Sequence, residues 1–305
     1  VTATLVTGGS GLIGAAVVRA LVARGERVVL LQRGGEPAPD GCRAVRGDVA
    51  DGALLLRIAS EERVSTVFHL AAQTIVGAAE RDPTATYATN IMGTTAVLEA
   101  ARLAGARRVV VAGSVTAYGA QDTSPLTEDM ALHPTSPYDV SKAAADLVAR
   151  SYWPTFGLPV ATTRFANVYG PGDRNASRLV PELLAAARAG RPPRLRSDGT
   201  PERDFLHVDD AAAAYLAIAD ALDDPDAGAR GEAFNAGGGH PVSVREVVTT
   251  LEGVLGRALG AVYEGGEHDG TSRYADIGKI ARVCGWRPVI ALDEGLRRTL
   301  AAPAG

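Results

Sequence analysis

The sequence predicts a doubly wound α/β fold: a parallel sheet with helices on both faces and a smaller lobe made of interleaved segments. Three observations carry that expectation. Short, flat-apolar runs alternate with longer amphipathic stretches through the first half of the chain, the first run leads into a glycine-rich turn, and the alternation loosens after Tyr169. Strands buried on both faces of a parallel sheet read as unbroken apolar runs, and strand–helix alternation folds with right-handed crossovers.

In chain order, the runs Ala3–Thr7, Arg27–Gln32, Arg43–Arg46, Thr66–Leu70, Arg107–Ala112 and Pro159–Thr163 are bounded by Gly, Asp or Ser and read as strands. Leu12–Arg24, Asp51–Ser60, Pro83–Ala104 and Pro137–Phe156 lie between them and are long enough for helices. Gly170–Pro171–Gly172 is a turn cluster, and Gly190–Arg191–Pro192–Pro193 interrupts any helix there. Val208–Leu222 and Ala233–Asn235 then read as a helix and a strand returning to the main sheet, Val242–Leu255 as another helix, and the tail from Ala261 as mixed. The expected division is a dinucleotide-type unit over residues 1–169 and 204–236, with a lobe over 170–203 and 237–305. In open α/β sheets ligands sit beyond the carboxyl ends of the strands, so such a lobe would cover a cleft there.

Composition removes several function classes. The 305 residues are 46% hydrophobic and 22% charged, which is a globular balance. Thirty-one Lys and Arg against 35 Asp and Glu give a net charge of −4, with no basic block, so no nucleic-acid partner is expected. No apolar run approaches the roughly 18 residues of a membrane span, and no secretory leader pattern is visible, so a cytoplasmic protein without a membrane partner is expected. Cys42 and Cys284 support neither a disulfide framework nor a zinc cluster, and the five histidines show no metal-ligand spacing, so no metal is expected. Lysine occurs only at Lys142 and Lys279. Against so strong an arginine bias a surviving lysine draws attention, because arginine neither loses its proton nor acts as a compact point charge.

Ala3–Thr7 runs directly into Gly8–Gly9–Ser10–Gly11–Leu12–Ile13–Gly14. Residues without a Cβ let a backbone approach a pyrophosphate, and the helix that follows offers N–H groups and a partial positive charge. In this strand–turn–helix setting the motif predicts a dinucleotide site. The second strand ends in Gln32–Arg33, where a carboxylate would accept bonds from the adenine ribose hydroxyls. A neutral Gln32 and an adjacent cation favour NADP(H) over NAD(H).

Ser136 and Pro137 start a helix as cap and first residue, which places Tyr138 and Lys142 four apart on one face and within reach of each other. Tyrosine has a pKa of about 10, and a neighbouring ammonium would bring its phenol nearer to working range as an acid–base group.

With these motifs in order, the chain resembles the extended short-chain dehydrogenase/reductase family in its nucleotide-sugar branch. The further matches are Gly47–Asp48–Val49, His69–Leu70–Ala71–Ala72, Asn90 to Gly93–Thr94, Ser114 to Tyr118–Gly119, Arg164 through Gly170, and Ser197–Asp198–Gly199–Thr200 through Arg203–Asp204–Phe205. The resemblance implies Ser114, Tyr138 and Lys142 as catalytic residues. It implies cofactor contacts from Gly8, Ser10, Gly11, Leu12, Ile13, Gly14, Gln32 and Arg33, from Asp48 and Val49 at the adenine, and from Leu70, Ala71, Ala72, Tyr138 and Lys142. Gln73, Thr116, Asn167, Arg178, Arg203 and Arg273 fall at substrate positions, the arginines suiting a diphosphate through their planar fork. A homodimer through the Pro83–Ala104 and Pro137–Phe156 helices is also implied.

The chain departs from the family's 4,6-dehydratases just after Ser114. They place acids there to remove one proton and expel a hydroxyl, whereas this chain reads Val115–Thr116–Ala117. Dehydration is therefore not expected. An NADPH-dependent 4-ketoreductase of a nucleotide-diphosphate 4-keto-6-deoxyhexose is favoured by Gln32–Arg33; a 4-epimerase with tightly held NAD is the alternative, and a non-catalytic cofactor sensor a remote third.

Overall fold

Alternate residues of each apolar run go to opposite faces of one sheet. The computed structural model describes residues 2–35, 37–265 and 274–302. In it β1 (Ala3–Thr7), β2 (Val28–Gln32), β3 (Cys42–Arg46), β4 (Val64–His69), β5 (Arg108–Ala112), β6 (Val160–Phe165) and β7 (Ala233–Ala236) pair in the order β7-β6-β5-β4-β1-β2-β3. Every pairing is parallel. Val6, Val28, Leu30, Phe68 and Val110 pack on α1 (Leu12–Ala23) and α6 (Val208–Asp223). Leu5, Val29, Leu31, Val67 and Val109 pack on the other face, against α2 (Gly52–Glu61), α3 (Gly93–Leu103) and α4 (Pro137–Phe156). The chain leaves β3 at one edge and re-enters at β4 beside β1, so the order reverses between β1 and β4. That reversal is where doubly wound sheets open a crevice.

A third apolar cluster joins Tyr169, Val180, Leu183, Val247, Leu251 and Leu296. It draws on α5 (Leu179–Ala189), α7 (Val244–Leu255) and α9 (Leu292–Ala301), with α8 (Gly278–Cys284) between the last two in the chain. Gly190 takes a left-handed conformation (φ 64°), so the Gly190–Pro193 run ends α5 rather than preventing a helix before it.

Three elements differ from the expectation, each for a visible reason. The stretch Pro83–Ala104 is not one helix: a π-helical turn at Ala88–Met92 separates Pro83–Tyr87 from α3. Within that turn Asn90 is buried, donating to the Gln73 carbonyl (3.0 Å) and to Ser141 Oγ (2.8 Å) and accepting from Gln73 N–H (2.7 Å). β6 continues past Thr163 because Arg164, fully buried, is held by Asp146 in two bonds of 2.9 and 3.1 Å and lies over the Tyr118 ring. Val242–Ser243 forms a short antiparallel pair with Glu202–Arg203, and Ser243 then caps α7 in a box with Glu246.

Candidate active site

The glycine turn presses against the loop that leaves β4. Gly8 has φ +73°, and a Cβ there would stand 2.6 Å from the Ala71 amide nitrogen, so only glycine fits. Thr7 on β1 ties the same loop down: its Oγ1 accepts from Ala71 N–H (3.2 Å) and meets His69 Nδ1 at 2.7 Å. α1 begins at Leu12 with Gly11 as its cap and no side-chain cap bond. The first-turn N–H groups are thus available to an anion at the helix N-terminus.

A cavity of about 1440 Å³ opens over this turn at the carboxyl ends of the strands. Its walls bring together the expected cofactor positions Gly8, Ser10, Gly11, Leu12, Ile13, Gly14, Gln32, Arg33, Asp48, Val49, Leu70, Ala71 and Ala72 with Ser114, Tyr138 and Lys142. Thr116, Asn167, Arg178 and Arg203 line the same cavity. Gln73 does not. It faces a smaller adjoining cavity, because Asn90 holds its backbone by both N–H and carbonyl. Arg273 lies outside the described residues.

Ser114 follows β5 and opens a short 3₁₀ turn, accepting from Thr116 N–H (3.2 Å) with Thr116 Oγ1 3.0 Å away. Tyr138 and Lys142 stand on the first two turns of α4, capped by Ser136 as the sequence indicated. Their interaction differs from the expected pairing. Lys142, buried, donates from Nζ to the Ala112 carbonyl at 2.9 Å, at the end of β5. Burial brings its pKa down to about 8. Burial pushes the Tyr138 phenol up; the Ser114 hydroxyl, and then the charge of Arg178, oppose that rise. Spacing on a helix brings two side chains to one face, but the nearest strong acceptor decides where an ammonium points.

His69 sits beneath this floor, with Thr7 on one ring nitrogen and Thr94 on the other (2.9 Å). Burial, with Lys142 adding to it, brings its pKa down to about 3, so it is neutral and structural. On the far wall Asn167 donates to the Asp204 carbonyl (3.1 Å), and Arg178 reaches Asp173 at 3.4 Å. Arg194 and Arg196 also line the cavity and escaped the sequence reading. Both are exposed while Leu195 between them is buried, so the period-two alternation around Leu195 was the available signal.

Comparison with known proteins gives this geometry a family. Residues 4–237 match the NAD dependent epimerase/dehydratase family, and the UDP-glucose 4-epimerase of Mycolicibacterium smegmatis is 33% identical over 97% of each chain. The chain belongs to that family. Among solved structures it is similar to the UDP-glucose 4-epimerase of Thermotoga maritima with UDP-glucose (TM-score 0.89, 28% identity, 98% of this chain and 97% of that one). It is also similar to DesIV, a dTDP-glucose 4,6-dehydratase of Streptomyces venezuelae with NAD bound (TM-score 0.85, 34% identity, 98% and 96%). Members of the family therefore do more than one reaction, and the chain's own residues must separate them.

Val115 and Thr116, which follow Ser114, both stand on the cavity wall. The cavity's carboxylates are Asp48, Asp173 and Glu182 among the described residues. Asp48 accepts from Ala50 N–H, and Asp173 and Glu182 pair with Arg178 and Arg191. None bonds to Ser114, Tyr138 or Lys142. Among the described residues no group of His, Cys, Asp and Glu could hold a metal ion, and no helix is long and apolar enough to cross a membrane.

Proposed function

We propose that this chain carries out hydride chemistry at a secondary alcohol or ketone carbon of a nucleotide-diphosphate sugar, with Ser114, Tyr138 and Lys142 as catalytic residues and without dehydration. The observation that carries the reading is that two hydroxyls and one buried ammonium share a cavity with the glycine turn, and among the described residues no carboxylate bonds to any of them. A nicotinamide dinucleotide fits: the glycine turn, which Gly8 lets pack against the loop after β4, lines the cavity, and the uncapped start of α1 suits its pyrophosphate. When bound, that cofactor supplies or accepts the hydride. Tyr138 holds the proton for the sugar oxygen, Ser114 donates a hydrogen bond to the same oxygen, and Thr116 orients Ser114. Lys142, fixed at the end of β5, would supply a positive charge on this side of the cavity that favours the phenolate.

Asn167, Arg178 and Arg203 are assigned to the diphosphate, and residues 170–203 and 237–305 to the lobe that holds the nucleotide sugar. Exposed Met92 and Leu103, beside and on α3, and Leu147 and Phe156 on α4 suit the expected homodimer.

For the finer reaction we favour NADPH-dependent reduction at C4 of a 4-keto-6-deoxyhexose. Its support is Gln32 with Arg33, whose exposed guanidinium makes no hydrogen bond or ion pair with the described residues while lining the adenosine end of the cleft. The second reading, 4-epimerisation with tightly held NAD, is favoured by the M. smegmatis relative. Mass and absorbance spectra of the purified protein separate them. Co-purified NAD⁺ supports the epimerase, and an empty site that fills preferentially with NADPH supports the reductase.

A further inference from the structure

We infer that Arg81 is a second specificity-determining residue for the 2′-phosphate of the cofactor, acting with Arg33 from across a small side pocket. The inference rests on the NADP(H) reading given above and adds to it a residue that lies far from Arg33 in the chain. A cavity of about 280 Å³ opens beside the main cleft and shares Arg33 and Thr89 with it. Its other polar walls are Gln73, Arg81, Asp82 and Thr86. Arg33 follows β2, whereas Arg81 ends the short helix Val76–Arg81, so two separate elements bring arginines to the wall of one space.

The charges there are poorly balanced within the protein. Neither Arg33 nor Arg81 makes a hydrogen bond or ion pair with the described residues. Arg24 by contrast pairs with Asp220, and Arg27 and Arg43 both pair with Glu62, while Arg46, in register with Gln32, makes no such bond with the described residues either. The pocket's one carboxylate, Asp82, accepts from Ala85 N–H at 3.0 Å as the cap of Pro83–Tyr87, and it stands beyond ion-pair distance of both guanidiniums. Two cations against one anion leave a net positive pocket, which suits a group of up to two negative charges and three acceptor oxygens. Arg81 lies back along its own helix, within ordinary contact distance of Gly77. Arg81 Nη1 lies 3.5 Å from the place a Cβ on Gly77 would occupy, and Gly77 itself lines the main cleft. The Arg81 guanidinium thus folds back along its own helix towards the join between the two cavities, both of which Arg33 lines.

The test is calorimetric titration of the full chain with adenosine 2′,5′-bisphosphate, adenosine 5′-monophosphate and inorganic phosphate at one ionic strength. Wild type should prefer the bisphosphate to the monophosphate by about tenfold or more. Arg81→Ala should lower bisphosphate affinity by about fivefold or more and leave the monophosphate within about twofold, and Arg81→Lys should recover part of the loss. Arg81 is exposed, so thermal melting of the variants should match wild type. An Arg81→Ala protein with wild-type bisphosphate affinity, beside an Arg33→Ala protein that has lost it, overturns the role of Arg81 and leaves the NADP(H) reading standing. Equal wild-type affinities for bisphosphate and monophosphate overturn both. Inorganic phosphate binding as tightly as the bisphosphate overturns the assignment to the cofactor, since the pocket would then take any phosphate.

Discussion

Replacing Tyr138 by Phe removes one hydroxyl from the centre of the cavity and little else. A positioned general acid contributes about 10²–10⁴ in rate, so the barrier should rise by roughly 3–5 kcal/mol. The fold should barely notice. Ser114, which loses the phenol as a neighbour, keeps Thr116 N–H at 3.2 Å and Thr116 Oγ1 at 3.0 Å, so no buried polar group is stranded. Stability should therefore change by less than about 1 kcal/mol, and cofactor affinity by no more than about threefold, because the ring still packs where it did. The assay is turnover of a nucleotide-diphosphate 4-keto sugar followed by product NMR, with a parallel fluorescence titration of the cofactor and a thermal melt. Activity above about one tenth of wild type in a folded, cofactor-binding Tyr138→Phe protein would refute the proton-transfer role.

Lys142→Arg should lose about 100-fold or more in kcat and some stability, since a buried position with one carbonyl acceptor at 2.9 Å cannot accommodate a larger planar fork; near-normal kinetics would remove the argument. Gln32→Asp combined with Arg33→Ala should reverse the preference between NADPH and NADH, read by paired fluorescence titrations, and an unchanged order would mean that neither residue reads the 2′-phosphate. His69 has a folded pKa of about 3 against about 6.5 unfolded, so the unfolded chain takes up a proton that the folded chain resists between those values. Its contribution is therefore lost as pH falls from 6.5 towards 3, and His69→Gln should flatten that part of the stability–pH curve in urea titrations; identical slopes would contradict the buried, neutral histidine.

The sheet was legible because its strands, apart from the edge strand β3, are buried on both faces. β1 was read to the residue, and β2 to β6 to within two residues; β6 runs two residues further than read because Arg164 is a charge that looks like a strand end until Asp146 and Tyr118 are seen around it. The glycine turn and the Ser136-capped start of α4 were legible for a local reason: each depends on neighbours in the chain. What escaped depends on contacts between distant segments. The π-turn at Asn90 forms because that side chain bonds Gln73 and Ser141, 17 and 51 residues away. Lys142 turns to Ala112, 30 residues earlier, and Arg81 lines one pocket with Arg33 only through the packing of its helix beside the turn after β2. Helix periodicity placed Tyr138 and Lys142 together, but no periodicity reports which acceptor a buried ammonium will choose.

The most direct test of the central claim is to follow deuterium from NADPH carrying deuterium at both C4 positions of its nicotinamide, in a single turnover with a nucleotide-diphosphate 4-keto-6-deoxyhexose. The account predicts one NADPH oxidised per product and the label on C4 of the sugar, with no loss of water from a nucleotide-diphosphate hexose offered in its place. Label-free product, or a 4-keto-6-deoxy sugar formed from the unmodified hexose, would contradict it.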